Sequence, residues 1–220
     1  MFKSQKHVFW QALLVTVLIF SLGLIMGFIL ENWRTSKISF LSEKSEIDLL
    51  DAKLLNDIYS REDFNCQIAT EENLNFADRI YQEAKILDRY ESASRLTESI
   101  QLQHKKYDIL RAMLLLNSIK VQEKCGNPYN EVVYFYSYEE EDITRRAKQN
   151  VFSKLLKEVK DRKGSDVLLI PIAGNIGSPS ISLLMDRYNV SEEDLPIILI
   201  NRDIRVSDVE NIEDLMEYFE

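Results

Sequence analysis

Residues 8–30, VFWQALLVTVLIFSLGLIMGFIL, contain no charged side chain. At 1.5 Å per residue, a helix of this length covers a hydrocarbon core of about 30 Å. Trp10 and Trp33 stand near its ends, where an interfacial aromatic belt belongs. A cleaved signal peptide has an apolar region of only about 7–15 residues and a small-residue cleavage site. This run is longer, and ILENWR at its end is a poor cleavage site. The reading is an uncleaved anchor, with the lipid bilayer as the partner of residues 8–30 and residues 1–7 as an N-terminal tail. Gly23 and Gly27 form a GxxxG within the span, a spacing that lets two helices approach closely. A homodimer through these glycines is therefore one expectation.

The chain carries a net charge of −9, and Lys3 and Lys6 are the only charged residues among the first thirty. Removing those two positives leaves −11 on residues 31–220. A surface of that sign does not suit nucleic acid, whose binding needs phosphate-neutralising Lys and Arg. The 45% apolar content suffices for a real core. Orientation is poorly marked by charge, because Lys3 and Lys6 precede the span and Arg34, Lys37 and Lys44 follow it. The two cysteines, Cys66 and Cys125, both lie beyond the anchor. An even count in an anchored chain fits one disulfide in an oxidising compartment. The N-terminus is thus expected in the cytoplasm and the bulk of the chain outside it. Asn189-Val190-Ser191 matches a glycosylation sequon, a triplet frequent by chance.

Residues 31–128 read as helical. Ile47, Leu50, Leu54 and Ile58 recur at helical spacing, which predicts an amphipathic helix over 41–60, continuing from the span. Thr70 offers an N-cap for a second helix with two glutamates in its first turn. A third helix is predicted over 92–123, with Leu96, Ile100, Ile109, Met113 and Leu116 among its apolar positions. Gly126 and Pro128 end it. Cys66 precedes the second helix and Cys125 follows the third. In an antiparallel hairpin the two open ends meet, and a Cys66–Cys125 disulfide staples them. Closing a loop of this length stabilises by about 4 kcal/mol in the chain-entropy treatment.

From residue 129 the pattern changes. VVYFYS and VLLIPIAG are β-rich runs separated by a helix-like stretch, EEEDITRRAKQNVFSKLLKEVKDRKG. SPSISLLMDRYNV reads as a short helix with Pro179 near its first turn. DLPIILIN is a third strand, RDIRVSD a turn with a short fourth, and VENIEDLMEYFE an amphipathic helix. Alternating strands and helices imply an α/β sheet with helices on its faces.

This order resembles the thioredoxin-like fold. VVYFYS is similar to the strand that leads into that family's redox helix, and SLLMDRYNVSEEDLPIILIN to its later helix, loop, proline and strand. The resemblance covers about residues 130–220 and implies that Pro196 is cis and faces the functional groove. It makes Tyr138, Glu139, Glu140 and Pro196 the groove candidates. The family's CxxC is missing: SYEEEDIT stands in its place, and the segment from 130 onward has no cysteine. Thiol–disulfide exchange needs a thiolate, for which a carboxylate is no substitute. The family's opening strand and helix are also not evident before residue 130; the helical hairpin either takes their place or packs on the exposed edge.

Other constellations read as structural. Glu139, Glu140, Glu141 and Asp142 suit the start of a helix through its macrodipole. GNIGSPS lacks the spacing of a phosphate-binding loop and reads as a turn and helix start. His7 and His104 are the only histidines, with no Cys/His metal spacing, and His104 in QLQHKKYD reads as lying on a solvated face. No metal or cofactor is expected. The leading expectation is a redox-inactive, non-enzymatic binding or assembly role at the membrane surface, with a protein partner or membrane complex. The competing one is a thiol-disulfide oxidoreductase, or a partner of one, using Cys66 and Cys125.

Overall fold

The structure, a computed structural model, describes residues 5–61, 63–93 and 98–219. The first four residues of the tail, and the part of the third helix around Leu96, lie outside the described residues. The chain divides into two compact units, 1–44 and 45–220.

The first unit consists of the helix α1, which spans Gln5–Ser60 and so also enters the second unit. Its stretch His7–Trp33 is long and apolar enough to cross a membrane, and none of it is buried within the protein. A Cβ added at Gly23 or Gly27 would meet nothing within 4 Å.

In the second unit the end of α1 is followed by α2 (Cys66–Ala93) and α3 (Glu98–Cys125). Then come β1 (Asn130–Tyr136), α4 (Ile143–Lys163), β2 (Val167–Ala173), α5 (Pro179–Arg187), β3 (Ile197–Ile200), β4 (Ile204–Val206) and α6 (Ile212–Met216). The four strands form one mixed sheet in the order β2-β1-β3-β4. β1 runs parallel to β2 and antiparallel to β3, and β3 is antiparallel to β4.

The sheet is covered on both faces, which is why β1 and β3 read as continuous apolar runs. Val132 and Tyr134 pack with Phe152, Leu156 and Val159 of α4 and with Leu215 of α6. Val133 and Phe135 turn to the other face, where they share a core with α3 and α5. The helical hairpin therefore lies on a face of the sheet, and helices and sheet share one core.

α3 is the central element, buried nearly all round. Leu110, Leu114 and Leu115 supply apolar packing, and Gln103, His104, Asp108, Arg111, Asn117, Ser118 and Gln122 are buried with them. The hydroxyl and amides are paired: Asn117 Nδ2 donates to Ala52 O at 3.1 Å, and Gln122 Nε2 to Tyr129 O at 3.1 Å. Gly126, at φ 75°, donates to Gln122 O and ends the helix in the left-handed conformation glycine tolerates.

Three local expectations change. Ile47, Leu50, Leu54 and Ile58 are exposed, and α1 instead buries Ser45, Ala52 and Tyr59. The small Ser45 and Ala52 let α1 approach α3, where Gln103 reaches Ser45 Oγ and Asn117 reaches the Ala52 carbonyl. α2 begins before Thr70, because Asn65 Oδ1 already accepts from the N–H groups of Gln67 and Ile68. Glu139–Glu141 precede α4, whose N-cap is Asp142, with Arg145 N–H donating to its carboxylate at 2.7 Å.

Candidate functional site

The β1–α4 junction is held by two side-chain amides. Gln149 brackets Ser137, accepting from its N–H at 2.7 Å and donating to its C=O at 3.1 Å. Asn175, from the loop after β2, brackets Tyr138 in the same way at 2.6 and 2.9 Å. Gly174 N–H extends the sheet ladder to Tyr136 O at 2.8 Å. Lys105 Nζ ties the same loop to α3 through Gly177 O at 2.7 Å. The backbone at the end of β1 is thus fixed from three elements.

Of the acids beyond it, Glu139 is exposed at φ 52°. Glu140 turns onto its own loop and accepts from Asp142 N–H at 3.0 Å, with Arg145 at 3.5 Å. The Asp142 N–H bond, followed by Ser137 and Arg145, lowers the Glu140 pKa below the usual carboxylate value. These acids serve the loop and the helix start.

Beneath the junction lies a polar cluster on α3 that sequence reading missed. His104 is buried, contrary to the solvated face expected for it. Its ring packs against Tyr138 with centroids 4.1 Å apart. Asp108, with no exposed surface, is the hub. Its Oδ2 pairs with His104 Nδ1 at 3.0 Å, and its Oδ1 accepts from Arg111 at 3.0 Å and from Ala173 N–H at 3.1 Å. A carboxylate cannot donate, so this hydrogen bond places a proton on Nδ1. The only sequence signal is the i, i+4, i+7 spacing of His104, Asp108 and Arg111, which marks one helix face but not that the sheet covers it.

The Leu195–Pro196 bond is cis. Pro196 directly precedes Ile197, the partner of Phe135, so it stands beside the end of β1 where Tyr136 and Ser137 leave the sheet. Leu195 is near Gly174, where an added Cβ would lie 3.0 Å from Leu195 Cδ1. The structure thus gathers Tyr138, the Gly174–Asn175 loop and Pro196 at one end of the sheet, while Glu140 faces inward to Arg145.

No family model, no curated protein and no solved structure matches this chain.

The cysteines are paired, Cys66 with Cys125. Asp108 and Cys125 are seventeen residues apart on α3, a rise of about 26 Å. Asp108 meets the last residue of β2, whereas Ser118 of α3 meets Glu131 at the start of β1. The disulfide is therefore at the opposite end of the sheet from the Tyr138 junction. Among the described residues no three His, Cys, Asp or Glu side chains gather into a metal-ligand set.

Among the recesses that open on this unit are two beside the sheet. One, of about 800 Å³, runs between α2, α3 and α4 along β2 and reaches His104. Burial pushes the Tyr134 phenol in its wall up to about 12, with Ser153 pulling the other way, so it stays neutral. The other, of about 380 Å³, lies at the opposite end beside Gln122, Asn201 and Arg202.

Proposed function

We propose that this chain is a single-pass membrane-anchored protein carrying a redox-inactive thioredoxin-like domain, with a binding or assembly role at the membrane surface. The observation that carries this reading is the β1–α4 junction: its backbone is clamped by Gln149 and Asn175, and its side chains include no thiol. Exchange chemistry requires a thiolate. Both sulfurs are committed to one disulfide at the other end of the sheet.

The thioredoxin-like assignment is supported by the strand order β2-β1-β3-β4, by helices on both faces, and by a cis-proline ahead of β3. On this reading Tyr138, Glu139, Glu140 and Pro196 border the groove, and His104 supports Tyr138 from below. Redox-inactive members of that family hold polypeptides in such a groove, which makes a protein the expected partner. The apolar helix His7–Trp33 supports the anchor, and the disulfide supports an oxidising compartment for residues 45–220.

The test uses the full chain in mild detergent. Insulin reduction in the presence of a thiol reductant is expected to show no turnover above the reductant alone. A photo-reactive residue at Tyr138 is expected to yield polypeptide adducts in the native membrane, and the same residue at exposed Arg162 is not. Turnover that disappears in a Cys66→Ser, Cys125→Ser variant would overturn the reading.

A further inference from the structure

α5 ends in a turn that leaves one side-chain amide unused on the surface. Asn189 N–H donates to Asp186 O at 2.9 Å, and Val190 N–H donates to Met185 O at 2.9 Å. This pair of bonds is a Schellman ending, which needs a left-handed residue just past the helix. Asn189 is that residue, at φ 50°. Val190 and Met185 are buried in the same core, which fixes the turn, while Asn189 and Ser191 on either side of Val190 are exposed.

The turn engages only the backbone of Asn189. Its C=O accepts from Arg205 Nη1 at 3.0 Å, and among the described residues its side-chain amide has no hydrogen bond. Glycine, the usual residue at this place in a helix ending, would serve the turn as well. Backbone geometry therefore accounts for the left-handed conformation and leaves the amide itself without a structural role.

Asn189-Val190-Ser191 is the one Asn-x-Ser/Thr triplet of the chain. By itself the triplet says little; on an exposed turn, with its amide free, it has the context that a sugar acceptor needs. Ser191 Oγ donates to Asp194 Oδ2 at 2.8 Å, an exposed bond within one short turn that opens locally without disturbing the core. The Cys66–Cys125 disulfide independently fits the compartment in which such sugars are attached.

We propose that Asn189 is a glycosylation site and carries an N-linked oligosaccharide. The co-reactant is an oligosaccharide borne on a lipid phosphate, brought by a membrane transferase. Nδ2 of Asn189 forms a bond to the anomeric carbon, the bond from that carbon to the phosphate oxygen breaks, the lipid phosphate leaves with the electron pair, and one amide proton is released. Arg205 is the middle residue of β4, an edge of the sheet, so the sugar stands beside that edge. Bulk placed there hinders pairing of β4 with a strand from another chain. The inference rests on the placement of residues 45–220 outside the cytoplasm in the reading above.

The full chain is purified from its native membrane and digested with trypsin, which cuts after Arg187 and Arg202 and releases residues 188–202. Mass spectrometry is expected to find this peptide with sugar on Asn189, a readout that needs no variant to fold. On gels the chain is expected to run as a slower band, lost in Asn189→Gln and kept in Ser191→Thr, which preserves the triplet. Recovery of the peptide bare, or a slower band that survives Asn189→Gln, would overturn the inference. Protease digestion of sealed, right-side-out vesicles reads the orientation separately. A bare peptide from a domain outside the cytoplasm defeats the glycosylation alone; a bare peptide from a cytoplasmic domain defeats the orientation as well.

Discussion

Glu131 should make this protein less stable as the pH rises from mildly acidic to mildly basic. The residue is the second of β1 and has no exposed surface. Ser118 Oγ donates to its Oε2 at 2.5 Å. Among the described residues its Oε1 has no hydrogen-bond partner, and Arg202 Nε is 3.8 Å away. Burial pushes its pKa up from 4.5 to about 7, with Ser118 and Arg202 pulling it part of the way back. A carboxyl with a raised native pKa holds its proton more tightly when folded. Its contribution is therefore fully present below pH 4.5 and is lost as the pH rises through about 7. At about 1.36 kcal/mol per pH unit, the loss amounts to about 3 kcal/mol. Glu131→Gln keeps the shape and removes the titration. The variant should match the wild type near pH 5 and exceed it by up to about 3 kcal/mol near pH 8. Urea unfolding of the full chain in detergent, followed by tyrosine near-ultraviolet circular dichroism, reads the right unit. All ten tyrosines lie within 45–220, while both tryptophans lie within 1–44. Parallel pH curves for the two proteins, or a wild type that gains stability toward pH 8, would refute the reasoning.

Two further predictions use the same unfolding measurement. Removing the Cys66–Cys125 link, which joins residues 59 apart, should lower stability by about 4 kcal/mol; an unchanged midpoint would mean that packing alone holds the hairpin ends. Asp108→Ala strands buried Arg111 and the Ala173 N–H and should cost about 3–5 kcal/mol, whereas Asp108→Asn, which can still accept from Ala173, should cost less; equal losses would show that Asp108 is not the hub.

Local pattern alone made much of the fold legible. VVYFYS, VLLIPIAG and PIILI are strands, and Pro179 and Gly126 punctuate helices as their backbone chemistry requires. The candidate site was legible only in part. Tyr138 and Pro196 do flank the strand ends, but Gln149, Asn175, His104 and Asp108 hold that region through contacts between residues 12 to 65 apart along the chain, and no local spacing announces them. His104 looked solvated because QLQHKKYD is polar throughout. A helix buried on several sides carries no clean apolar stripe, since its polar groups are satisfied by neighbours that one-dimensional periodicity does not contain. The stripe Ile47, Leu50, Leu54 and Ile58 misled in the opposite sense: the close approach of α1 to α3 needed the small Ser45 and Ala52 instead.

By itself the sequence determined the charge-free helix of residues 8–30, the alternation of strands and helices after residue 129, and the absence of a thiol there, because these depend on composition and short-range order. Tertiary structure alone decided that α3 becomes the buried spine of residues 45–220, that Asp108 joins helix to sheet, and that Asn189 stands beside the edge strand β4. Those depend on which distant surfaces meet, and burial and pairing are properties of the meeting, not of either segment.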